Sequence, residues 1–184
     1  MKPPIGRSAG IAIASLSVLV LAATGCAPSK SAPTPENFTS AINAHFLDHH
    51  ECLLSNIRFP YETTDKTETK QLDSLFKLHL LDKSEEAAIH SSRYTVTQAG
   101  QRYAPRFCYG NREVTSIDGS TPLTVVNGFK QTTVTYHYTI TEVPVWAKSP
   151  EVLAAFPQMA QALSGPSTAT INLDQTTASW QVPD

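Results

Sequence analysis

The 184-residue chain has little charge, little glycine and little cysteine: 16% Asp, Glu, Lys and Arg together, eight glycines and three cysteines. No uninterrupted apolar run reaches the roughly 18 residues a spanning helix needs, which excludes a polytopic membrane protein. No cluster of Lys or Arg is present to release counterions from a phosphate backbone, which excludes nucleic acid as the expected partner. A glycine-rich phosphate loop is missing, as is any other cofactor-binding phrase. So is the Gly-x-Ser-x-Gly elbow of a serine hydrolase, and no pair of acids stands out as a glycosidase couple. What is present is an ordinary globular content of hydrophobic residues, 41%.

The N-terminus is organised differently from the rest. Lys2 and Arg7 precede an apolar stretch from Ile11 to Ala23, followed by Ala23-Thr24-Gly25-Cys26. A cationic start, a short apolar core and a small-residue end form a secretory signal, residues 1–25. The last four residues resemble the lipobox of bacterial lipoproteins, although Ala23 stands where that family carries Leu. The resemblance implies cleavage before Cys26 and acylation of that cysteine, which anchors the protein to a membrane. Several acyl chains are needed for durable attachment, and a lipoprotein cysteine carries three. Ala27 is not the Asp that retains lipoproteins in an inner membrane, so the expected location is the outer membrane of a Gram-negative envelope, facing the periplasm. The outer face of the cytoplasmic membrane is the alternative. Residues 26–35 read as a lipidated, Pro- and Ser-rich flexible tether, and 36–184 as a single α+β domain. That mature part carries 12 basic and 16 acidic side chains, a mild net −4.

With Cys26 acylated, Cys52 and Cys108 remain as an even pair in an oxidising compartment, and a disulfide is the simplest reading. A reactive thiol or metal-ligand pair is the alternative, without a Cys-x-x-Cys unit to support it. A bridge would place the end of the first helix beside the start of the first long strand.

Thr34-Pro35-Glu36 supplies a cap, a first-turn proline and an acid, and opens a helix running to about Glu51 with Phe38, Ile42 and Phe46 on one stripe. Residues 61–69 read as loop. A second helix is expected over 69–80, burying Leu72, Leu75, Phe76 and His79. The run from Leu80 to Lys83 and then Arg93 to Gly100 resembles the helix, strand and hairpin of winged-helix modules, with Val96 where that family has Leu. The resemblance concerns local shape, not DNA. Cys108–Ile117 and Phe129–Val143 read as strands. In the latter, Val134, Tyr136, Tyr138 and Ile140 alternate with Thr133, Thr135, His137 and Thr139. Its threonine face reads as a wet sheet surface, or as an edge open to strand addition. Ser149-Pro150-Glu151 starts a third helix that Pro157 kinks or divides, and 168–173 and 178–182 form two strands around a turn near Asp174. The expected fold is α+β: N-terminal helices with a small winged-helix-like hairpin, then an antiparallel sheet with one packed helix.

Three groups of residues offer chemistry. His45 and His49 lie four apart on one helix face, the spacing two imidazoles need around a metal, within the cluster His45 to Glu51. Phe46 occupies the position of the glutamate in His-Glu-x-x-His, and a solvated helix face is the plainer reading. Ser74-Leu75-Phe76-Lys77 fits Ser-x-x-Lys without its companion motifs. Trp146 and Trp180 are either binding anchors or covers of the core edge. The expected function is an envelope-anchored, noncatalytic binding or adaptor module with an envelope protein as partner. A periplasmic metal-binding protein or hydrolase using His45 and His49, and a carrier of a small apolar ligand, are the alternatives.

Overall fold

The computed structural model describes Met1 and residues 29–183; the signal segment and Cys26 lie outside the described residues. Among the described residues no helix is long and apolar enough to cross a membrane.

The first helix, α1 (Pro35–Asp48), begins as its cap dictates, with the Thr34 hydroxyl accepting from the Asn37 amide at 3.3 Å. It buries Phe38, Ala41, Ile42 and Phe46. It stops three residues before the expected Glu51 because the chain there is needed as a strand. Glu51–Cys52 (β1) pairs antiparallel with β5 (Cys108–Ser120), setting Cys52 opposite Cys108. The two sulfurs form a disulfide across that register. The register shifts beside Cys52, and Gly110 takes φ 150° where a β-carbon would come within 2.5 Å of Ile140 and of the Thr141 carbonyl. Tyr109 is therefore the extra residue of a bulge beside the bridge, and Gly110 supplies the backbone conformation next to it.

Two further corrections concern the segment after β1. Tyr61–Thr63 (β2) is a strand rather than loop, and the second helix, α2, spans Lys66–Lys77, starting and ending three residues early. Its cap is Asp65, whose Oδ1 accepts from the amides of Thr67 and Glu68, each at 2.8 Å. At its end His79 turns left-handed at φ 56°, the His79 amide donates to Phe76 and the Leu80 amide to Leu75. This is the Schellman closure of a helix. It removes His79 from the helix and leaves it exposed, and Phe76 falls off the Leu72–Leu75 stripe to remain exposed also.

Strand β3 (Leu81–Glu86) and strand β4 (Ser91–Val96) form an antiparallel hairpin, with β2 added on the far side of β4. The Thr97-x-x-Gly100 phrase that follows has a local cause. The Thr97 hydroxyl donates to the His79 carbonyl at 2.7 Å and accepts from the Gly100 amide at 3.0 Å. A β-carbon on Gly100 would stand 2.0 Å from the Leu80 carbonyl oxygen.

The larger sheet has the order β1-β5-β7-β8-β9, with β6 paired to β7 beside β5. Its members are β6 (Thr124–Val126), β7 (Phe129–Thr141), β8 (Ser167–Gln175) and β9 (Trp180–Gln181). Strand β7 alternates as its sequence requires, with Val134, Tyr136 and Tyr138 buried. It is an interior strand flanked on both sides, so its threonine face cannot serve as an edge for strand addition. The last turn comes later than expected, at 176–179, and Asp174 is buried within β8 with Gln131 donating to it at 2.9 Å.

Pro157 divides the C-terminal helix into α3 (Pro150–Ala155) and α4 (Pro157–Leu163), since it cannot continue the hydrogen-bond ladder. The helix laid across the large sheet is α1, not this pair as the sequence suggested. Phe38, Ile42 and Phe46 share one core with Val114, Val134, Tyr136, Leu173 and Trp180. Residues Val152, Phe156 and Met159 of the C-terminal pair instead join Leu72, Leu75, Tyr94 and Trp146 in a second core. An antiparallel α+β fold is thus present, with its hydrophobic interior in two clusters that β5 links through Tyr109 and Val114.

Candidate functional site

An open apolar groove lies where the end of α2, the turn after β4 and the chain after β7 converge. The β7 ladder ends at Thr141, two residues short of the expected Val143 because Glu142 turns left-handed at φ 56°, and after Pro144 the residues Val145–Lys148 make one 3₁₀ turn that presents its side chains to that junction. Leu78, Leu80, Tyr103 and Trp146 form an apolar groove of about 560 Å³, with Arg102 and Lys148 at its margins. The Trp146 ring is held edge-on by Tyr103, centroids 5.7 Å apart, and by Phe107 at 6.1 Å. Its Nε1 is enclosed and has no hydrogen-bond partner. The Arg102 guanidinium lies 5.7 Å from the centroid of the Tyr103 ring. Val145 is 89% exposed beside this surface, an unusual position for a branched apolar side chain in a turn built by its neighbours' burial.

The groove lining carries two cations and no carboxylate or imidazole. Of its two hydroxyls, on Tyr103 and Ser149, that of Ser149 donates to Glu151 at 2.6 Å, a bond that holds the Glu151 carboxyl below the usual range. An apolar segment ending in a carboxylate or flanked by acids fits this chemistry.

No family model matches this chain, and no curated protein or solved structure does either.

The other residues singled out from sequence are placed as follows. His45 and His49 do lie together, their rings stacked at 3.9 Å and 9°, with His49 Nδ1 2.8 Å from the His45 carbonyl oxygen. Among the described residues no group of three His, Cys, Asp or Glu gathers in a way that could hold a metal. His137 is elsewhere, 3.0 Å from Asp118 and 2.9 Å from the Thr168 hydroxyl. Ser74 donates to the Gln71 carbonyl of its own helix. Trp180 is buried against Phe38, centroids 5.0 Å apart, and its Nε1 donates to the Ala32 carbonyl at 3.0 Å. Cys52 and Cys108 are joined, and Cys26 lies outside the described residues.

Two features escaped the sequence reading. Arg112 is gripped by Glu51 at 2.5 Å and lies between the rings of Phe46 and Tyr138, at 5.1 and 4.6 Å. Glu51 also accepts from the Tyr109 hydroxyl at 3.2 Å, and burial followed by the Glu51 charge pushes that phenol up to about 12. Nothing in one sequence joins residues 46, 51, 112 and 138. The second feature had a signal: Asn127-Gly128 between apolar residues is a two-residue hairpin turn, and both residues take positive φ, 50° and 85°.

Proposed function

We propose that this protein is a lipid-anchored, noncatalytic adaptor of the bacterial envelope, acylated on Cys26, held in the outer membrane facing the periplasm, and engaging an envelope protein through the Trp146 groove. The observation that carries the reading is the groove itself: an apolar floor with exposed Val145 beside it and the cations Arg102 and Lys148 at its margins. Its chemistry matches an apolar peptide segment with an acidic flank. Leu78 and Leu80 in the turn after α2, and Arg102 and Tyr103 in the turn after β4, supply one wall, beside a winged-helix-like α2, β3 and β4 that a chain with a net −4 after residue 25 has no use for as a DNA reader. The lipobox supplies the anchor.

Two measurements test this. Intact mass of protein extracted from host membranes is expected to correspond to residues 26–184 plus acyl chains; an unmodified Cys26 refutes the anchor. A photoreactive residue at position 145 is expected to give one discrete protein adduct in living cells, abolished by Arg102→Glu with Lys148→Glu. An adduct pattern unchanged by those substitutions, or equal at an exposed control such as Glu113, refutes the groove.

A further inference from the structure

The β6–β7 hairpin ends in an apolar tip. Leu123, Val125, Val126 and Phe129 are 43%, 72%, 39% and 47% exposed around the Asn127-Gly128 turn. Residues 119–133 hold no Asp or Glu, and the only charge among them is the exposed Lys130. The turn itself is the ordinary Asn-Gly pair, but four large apolar side chains exposed together around it form a patch that water disfavours.

Its position in the sheet matters as much as its composition. Val125 pairs with Lys130, Lys130 pairs with Gln175, and the Gln175 side chain donates to the Ser31 carbonyl at 2.7 Å. The Asn37 amide reaches the Ser29 and Ala32 carbonyls at 3.0 and 2.9 Å, so the chain leading to Cys26 is fixed to the body from Ser29 onward. With strands about 4.8 Å apart, Val125 is roughly 10 Å across the sheet from Gln175. Cys26 is three residues before Ser29 and can reach at most about 10 Å from it. The hairpin runs beyond the level of Gln175 by Phe129 and its turn. Ser29, from which the chain leads back to Cys26, and the apolar tip therefore lie at one end of the described molecule.

We infer that the β6–β7 tip inserts Val125, Val126 and Phe129 into the bilayer surface that holds the acyl anchor, giving the protein a second membrane contact and a fixed orientation. This rests on the reading of Cys26 as lipidated. Lys130 and the exposed Lys30 then lie at headgroup level, where an anionic phospholipid pairs with them and a long side chain can snorkel. A second copy of the chain is a poorer occupant, since four half-exposed side chains on one turn fall short of the roughly 800 Å² per partner of a stable interface.

The test uses the full chain matured in its host with Val126→Cys, the single free thiol once Cys26 is acylated and Cys52 is bridged to Cys108. An environment-sensitive fluorophore is attached there, and in a separate protein at Glu113→Cys, about ten residues along the β7 ladder from the turn. Both are reconstituted in vesicles of phosphatidylethanolamine and phosphatidylglycerol. The expected result is a blue-shifted emission at 126, quenched severalfold more by spin-labelled lipid than at 113, and lost on adding Val125→Ser and Phe129→Ser. An aqueous spectrum at 126 in protein whose mass carries acyl chains overturns the inference and leaves the anchor standing. A blue shift that lipid quenchers do not touch, with a crosslinked dimer, assigns the tip to a second copy and also overturns it. If the mass carries no acyl chain the anchor reading fails separately, and quenching at 126 in the same sample still decides whether the tip inserts.

Discussion

Replacing Cys52 and Cys108 by serine removes the bond that fixes β1 to β5, and the size of the effect can be worked out. The two residues are 56 apart in sequence. On the chain-entropy account, releasing a loop of that length returns about 4 kcal/mol of freedom to the unfolded chain. Native contacts at the same seam survive the change: the Glu51–Arg112 pair at 2.5 Å and the Tyr109–Glu51 hydrogen bond at 3.2 Å. The folded state should thus keep its form, and the loss should fall on the unfolded side. With an unfolding entropy of about 2.1 cal/mol/K per residue over about 155 residues, 4 kcal/mol corresponds to a fall in Tm of roughly 12 °C. Thermal unfolding followed by circular dichroism reads this directly. Urea titration should in addition give a steeper slope for the variant, because its unfolded chain exposes more surface. Reduced wild-type protein should match the variant. A variant that melts within about 3 °C of the oxidised protein would refute the reasoning, and would mean that the Glu51–Arg112–Tyr109 cluster already confines this loop in the denatured chain.

Three further outcomes are expected. Gly100→Ala places a β-carbon 2.0 Å from the Leu80 carbonyl and should cost about 3 kcal/mol or more in urea unfolding, whereas Gly119→Ala, which meets nothing within 4 Å, should stay within about 0.5 kcal/mol. Trp180→Phe keeps an aromatic ring against Phe38 but loses the donor to Ala32, so stability should fall by about 1 kcal/mol and limited proteolysis should accelerate in residues 29–34. Tyr94, pushed up to about 12 by burial and by its hydrogen bond to Asp73, and Tyr109, pushed up to about 12 by burial and the Glu51 charge, are held neutral by the fold. Their contribution is complete below pH 10, the unfolded value, and is lost as pH rises from 10 towards 12. Urea midpoints should be level from pH 8 to 9.5 and fall above 10, and a midpoint that rises there contradicts the assignment.

The parts of this fold that sequence exposes are those decided locally. Thr34, Pro35 and Glu36 start a helix wherever they stand, Pro157 interrupts one, and the alternation from Val134 to Ile140 belongs to a half-buried strand whatever lies beside it. With Cys26 read as the lipid-bearing residue, a disulfide was the simplest reading of Cys52 and Cys108, and the two are joined. What failed depended on distant partners. β1 and β2 are two and three residues long, too short for any periodicity, and exist because β5 and β4 offer them a ladder. Phe76 has the residue type of a core position but lies off the buried Leu72–Leu75 stripe of α2, and His79 is turned out of the helix by the Schellman closure. The groove draws on residues 78–80, 99–103 and 145–149, and its Trp146 was visible only as one tryptophan near a helix start. Asn127-Gly128 is the one miss with a local signal of its own.

Strand β7 also sets a distance. Its 13 residues run from the apolar turn at Phe129 to the chain that enters the groove at Val145, and an extended strand of that length covers about 40 Å. On the proposed reading the bilayer lies at one end of that rod and the partner at the other. The protein then acts as a standoff, holding whatever it grips at a height fixed by the ladder between β5, β7 and β8 rather than by the slack of a linker. Lengthening the tether before Ser29 would not raise the partner so long as the hairpin tip stays in the lipid, whereas shortening β7 by two residues, which preserves the inward and outward faces, would lower it by about 7 Å.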